Sequence, residues 1–154
     1  MLSCVTNAVL QVESYRPSDA VLAATLNRGV GVPLGLSNPL RLGVRLHYRV
    51  VRDVNGWWRA QTAAYHFELT DETETEILAY HWHPEGRSPV TWPHLHLGQA
   101  IGQLSRVATR AHLPTGFIAL EDLIELAITE FGVAPRRLDW EAVLRRTRPA
   151  PEQP

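Results

Sequence analysis

Tyr80-His81-Trp82-His83 and, after a short gap, Trp92-Pro93-His94-Leu95-His96-Leu97 are the stretches that decide this chain. In an extended strand, successive side chains point to opposite faces. Each His-x-His pair therefore sends both imidazoles one way, while Tyr80, Trp82, Leu95 and Leu97 go the other. Residues 84–90 hold Pro84, Gly86, Ser88 and Pro89 and read as a turn. Closed as a hairpin, the two pairs set four rings on one patch of a sheet.

The same alternation runs through the preceding residues. Over 43–52, Val44, Leu46, Tyr48 and Val50 oppose Arg45, His47 and Arg49. Over 57–69, Tyr65 and Phe67 oppose His66 and Glu68. Over 75–83, Leu78, Tyr80 and Trp82 oppose His81 and His83. Asn55-Gly56 predicts a type I′ hairpin turn, and Asp71-Glu72 a second turn. A one-residue slip would turn a whole strand over, so burial of the apolar set fixes the register. Stacked as a meander, the four strands place His47, His66, His81, His83, His94 and His96 on the same side as Arg45, Arg49 and Glu68.

Helical spacing appears at the C-terminal end. Leu120, Leu123, Ile124, Ala127, Ile128 and Phe131 form one stripe over Ala119–Phe131, closed by Gly132. A shorter helix starts at Asp139. Gln99–Ala108 and Ala20–Asn27 also read as helix, the latter capped by Ser18-Asp19 and ended by Gly29. Residues 29–40 read as loop. Of Trp57-Trp58, one is expected in the core and one at the surface. These elements predict a single α+β domain over residues 1–148. Its expected form is two layers, a four-stranded antiparallel meander with helices packed on one face. Residues 149–154 form a Pro-rich tail expected to be disordered.

Composition narrows the chemistry. The chain has 154 residues, 45% hydrophobic and 20% charged, with a formal net charge of -1. That is an ordinary globular balance, with no global basic field. All 15 basic residues are Arg, which fits a GC-rich bacterial genome and excludes Schiff-base or P-loop lysine chemistry. Cys4 is the lone cysteine, so there is no internal disulfide or cysteine–zinc cluster, and it reads as a small buried residue. No apolar run approaches a spanning helix, and residues 1–12 do not resemble a signal peptide. The expected place is the cytoplasm, with no membrane partner.

A solvated sheet face explains any one of these histidines. Six on one face point to a site. The leading expectation is a nuclease-like enzyme cleaving phosphodiesters, with RNA as substrate. His81, His83, His94 and His96 would supply acid–base groups, since imidazole titrates near neutral pH. Arg45 and Arg49 would hold phosphate oxygens. His47, His66, Glu68, Trp92 and His112 would support the site, Trp92 by stacking on a base. The second expectation makes His81, His83, His94 and His96 ligands of Zn or another divalent transition metal. The third is a binding or oligomerisation module without catalysis.

The segment Val90-Thr91-Trp92-Pro93-His94-Leu95-His96-Leu97, following His81-Trp82-His83 and a turn, resembles an aromatic-Pro-His-x-His motif. It is found in a family of small uncharacterised bacterial proteins described as toxins of toxin–antitoxin pairs. The similarity covers roughly residues 75–100. It implies a small stand-alone protein acting on RNA, with His94 and His96 as the matching positions and a protein antitoxin as partner.

Overall fold

The computed structural model describes residues 1–13, 20–35, 39–85, 88–99 and 111–149. Among these, eight strands form one sheet: β1 (Leu10–Val12), β2 (Leu22–Leu26), β3 (Val32–Pro33), β4 (Arg41–Arg52), β5 (Trp58–Thr70), β6 (Glu76–Trp82), β7 (His94–Leu97) and β8 (Leu113–Pro114). All pairings are antiparallel, in the spatial order β1-β2-β4-β5-β6-β7-β8, with β3 also beside β4. The described α-helices are two and short, α1 (Leu120–Thr129) and α2 (Trp140–Thr147).

This corrects the expected architecture. The four strands of the meander exist as β4 to β7, but they are the middle of a mostly antiparallel eight-stranded sheet, not a complete four-stranded layer under helices. The error began at residues 20–27. Ala-rich sequence favours helix, yet Leu22, Ala24 and Leu26 are buried while Ala23 and Thr25 are half-exposed, a period of two. The free edge of β4 recruits this segment, and pairing overrides propensity. Residues 18 and 19 lie outside the described residues, as does the helix expected over Gln99–Ala108 apart from Gln99. The stretch 29–40 holds β3 instead of loop alone.

Both β2 and β3 pair with the same edge of β4, so they are two pieces of one interrupted edge strand. The interruption is a left-handed turn: Asn27, Arg28 and Gly29 have φ of 44°, 56° and 88°. Only Gly takes that region freely.

The expected turns form, with a different geometry at Asn55-Gly56. Gly56 has φ of 82°, but Asn55 is not in the left-handed region, so the turn is not type I′. Instead Gly56 N–H donates to the Asp53 carbonyl (2.9 Å), and the Asp53 carboxylate accepts from the N–H groups of Asn55 (2.8 Å) and Trp57 (2.9 Å). Asp71 repeats the device, accepting from the N–H groups of Thr73 (2.8 Å) and Thr75 (2.9 Å). Trp57 and Trp58 are both exposed, against the expectation of one in the core. The Arg52 guanidinium lies 4.5 Å over the Trp58 ring, its cross-strand partner.

One face of the sheet carries the core. Val44, Tyr65, Phe67, Leu69 and Leu78 are buried with Leu120, Leu123, Ile124 and Ala127 of α1, and with Val143 and Leu144 of α2. Cys4 is fully buried there, as its composition suggested. Asp122 accepts the Ala119 N–H at 2.8 Å and fixes the start of α1. Past its end, Gly132 turns with φ of 68° and Val133 N–H returns to the Ala127 carbonyl at 3.0 Å.

Candidate functional site: a six-histidine cluster

Directly opposed residues in a sheet share a face, so the register places the polar side chains. One row crosses the strands as Thr25, Arg45, His66, His81 and His94. The next reads Gly43, Glu68, Ala79 and His96. The parity argued from the sequence therefore holds for Arg45, His47, His66, Glu68, His81, His94 and His96. The greasy side chains of Val44, Phe67, Tyr80 and Leu95 form their own row on the other face.

Six of the seven histidines form a continuous set of ring contacts. His66 and His81 are 4.2 Å apart between centroids, His81 and His96 4.7 Å, His81 and His94 5.5 Å, and His83 and His94 5.5 Å. His112 joins through His96 (4.5 Å) and His94 (5.0 Å), brought in because Leu113 of β8 pairs with Leu95. His47 lies on the same face but opposite Ala64, and no ring contact joins it to the set among the described residues.

The face is not an open, solvated one. Ala79 is fully buried, His94 is 1% exposed, and the other central rings are half-buried. Three Nε2 atoms, of His66, His81 and His94, are buried without a hydrogen-bond partner among the described residues. All three lie in the same row. His66 Nε2 sits 3.5 Å from a Glu68 carboxylate oxygen, an ion pair only when the ring is protonated. Buried polar atoms are nearly always satisfied, so three orphaned nitrogens side by side require an explanation.

His94 is held in one tautomer. Its Nδ1 lies 2.8 Å from the Trp92 carbonyl, which can only accept, so Nδ1 carries the proton and Nε2 presents a lone pair. Four of the rings are also held toward the neutral form. Burial, then the neighbouring imidazoles, push His81 down to about 3 and His96 down to about 4. His94 is lowered mainly by burial, the Trp92 contact opposing. His66 is lowered by burial against the pull of Glu68.

Three sets bring ligand atoms within 4.8 Å of one another: His81 with His83 and His94, His94 with His96 and His112, and His66 with Glu76 and His81. Sequence reasoning missed Glu76. Strand parity assigns it to the apolar face, but a bulge between Leu69 and Thr70 shifts the register there. Ile77 and Leu78 both become buried, and Glu76 comes round to the histidines. Burial, with Glu68 nearby, raises its carboxyl above the usual range. Gly98 is needed beside it, because a side chain at 98 would run into the Glu76 backbone.

The remaining expected residues divide. Arg45 is exposed, in the row of His66, with no ion pair among the described residues. Arg49 is bound to Glu85 at 3.3 Å. Trp92 is 47% exposed, and it contributes to the site through its carbonyl. No described helix is long and apolar enough to cross a membrane. Comparison with family models, curated proteins and solved structures finds no match for the chain.

Proposed function

We propose that this protein is a metal-dependent hydrolase whose divalent transition metal is held by His81, His83 and His94. The observation that carries the reading is the row of buried, unpartnered Nε2 atoms on His81 and His94. Neutral imidazole is a good ligand for Zn, Ni, Cu and Fe at neutral pH. A ligand imidazole characteristically donates its second nitrogen to a backbone carbonyl, as His94 does to Trp92. Three protein nitrogens leave a coordination position for water, the arrangement of catalytic rather than structural zinc.

His94 has one nitrogen to give, so it serves one metal; His96 and His112 then stand beside the centre as further imidazoles. The metal reading is preferred to metal-free acid–base catalysis by His81 and His96. At about 3 and 4, neither holds a proton to donate at neutral pH. Arg45, a guanidinium of the row with no ion pair among the described residues, favours an anionic substrate, and a phosphodiester such as RNA is the class we infer. The cytoplasmic setting and the antitoxin partner belong to this proposal as its context.

The test is elemental analysis of protein purified without a histidine tag, followed by hydrolysis assays on bis(p-nitrophenyl) phosphate and a short RNA. About one transition metal per chain is expected, with activity lost to a chelator and restored by Zn²⁺ or Co²⁺. Full activity in metal-free protein would return the case to acid–base chemistry. Stoichiometric metal without turnover would leave a binding module.

A further inference from the structure

The opposite face of the sheet holds a second feature, independent of the histidines. A cavity of about 380 Å³ lies between the apolar face and the start of α1. Protein interiors contain few voids larger than a water molecule, and this volume falls in the range of small-molecule sites. Its walls are mostly hydrocarbon and aromatic, including Leu46, Tyr65, Phe67 and Phe117. Tyr65 and Phe67 stack at 4.8 Å, and the Tyr65 hydroxyl is already engaged by the Ile118 N–H at 3.2 Å.

The polar end is unbalanced. Glu121, Asp122 and Arg148 line the cavity, and Glu125 adjoins them. Arg148 is committed to two carboxylates, to Asp122 at 3.0 Å and to Glu125. Asp122 also caps α1. Glu121 is left over: it is 5% exposed and makes no hydrogen bond or ion pair among the described residues. Arg148, whose charge the Glu121 carboxylate also feels, is thus one guanidinium set against three carboxylates, and the group that offsets the remaining acidic excess is a cation.

We infer that this cavity binds a small amphiphilic amine, its ammonium seated on the Glu121 carboxylate and its hydrocarbon or aryl body against Leu46, Tyr65 and Phe67. The acidic excess selects a cation over an anion. The carboxylate accepts hydrogen bonds, which favours a primary or secondary amine that can donate them. The aromatic wall suits an aryl body by offset or edge-on stacking.

The test is calorimetric titration of the intact protein with three matched probes: phenethylamine, phenethyl alcohol and hydrocinnamate. Phenethylamine is expected to bind about tenfold more tightly than the alcohol, a difference of about 1.4 kcal/mol, with hydrocinnamate weaker still. Glu121→Gln is expected to remove the preference for the amine while leaving the alcohol's affinity unchanged. Equal binding of the three probes, preference for the carboxylate, or no binding at all would overturn the inference using wild-type protein alone. So would a Glu121→Gln variant, folded by circular dichroism, that keeps the amine preference.

Discussion

His94 donates its Nδ1 proton to the carbonyl of Trp92, two residues earlier in the chain. That one contact fixes which nitrogen faces the cluster. Pro93 lies between them and restricts the backbone of Trp92 to extended conformations. The ring is thereby set by its own local sequence before any metal arrives. His94→Ala is expected to weaken Zn²⁺ binding by at least about a hundredfold, beyond the loss typical of an outer-shell change. His47→Ala, on the same face but out of ring contact, is expected to leave it unchanged. Competition against a chromophoric chelator measures both, and equal effects would count against the assignment of the site.

Arg45 and Arg49 looked equivalent along β4, and the structure separates them. Arg49 is neutralised by Glu85, whereas Arg45, in the row of His66, has no ion pair among the described residues. If the substrate is anionic, Arg45→Ala should raise KM by about tenfold, a loss near 1.4 kcal/mol of charge-assisted binding, with little change in kcat. Arg49→Ala should change KM less than twofold. The reverse order would place the anion at the other end of the sheet.

Parity made most of this site legible. Each of β4 to β7 has an alternating pattern long enough to choose its face, and the apolar set leaves no freedom to slip. What escaped has identifiable causes. β3 and β8 are two residues each, too short to carry a period. β2 is mostly Leu and Ala, whose propensities argue for helix until an unpaired neighbour is known, and Thr25 alone favours a strand. Glu76 was lost because a bulge is an irregularity of pairing and has no mark in the alternation. The alternation does not reach His112, and only the Leu95–Leu113 pairing brings it against His96.

Gly98 ties the bulge to the cluster. Its N–H donates to the Ile77 carbonyl at 2.7 Å, and its missing side chain lets the Glu76 backbone pass. Backbone cannot swing aside as a long side chain can. Gly98→Ala is expected to destabilise the fold by about 1–3 kcal/mol through overpacking. Gly56→Ala meets no neighbouring atom and should cost only the left-handed conformation, about 1 kcal/mol. Urea denaturation compares them, and a smaller loss at 98 than at 56 would contradict the close approach.

The neutral histidines make the stability of the metal-free protein depend on pH. Free imidazole titrates near 6.5, while in the fold His81 is held down at about 3 and His96 at about 4. Below pH 6.5 the unfolded chain takes up protons that the folded chain refuses. Their contribution is therefore complete above 6.5 and declines as pH falls toward the folded values. Glu76, raised by burial, acts in the opposite sense, stabilising at low pH and losing that contribution as pH rises. With His66 and His94 lowered as well, four histidines against one carboxyl leave a net fall in urea midpoint from pH 7 to 5, above the range where ordinary carboxylates titrate. His81→Gln and His96→Gln together should flatten that slope. Saturating Zn²⁺ should raise the midpoint at pH 7, because metal binds the native state, and should lose its effect as protons compete for the same nitrogens. A midpoint that is level between pH 7 and 5 in chelated wild-type protein would mean that the cluster admits protons freely and is not the desolvated donor set described above.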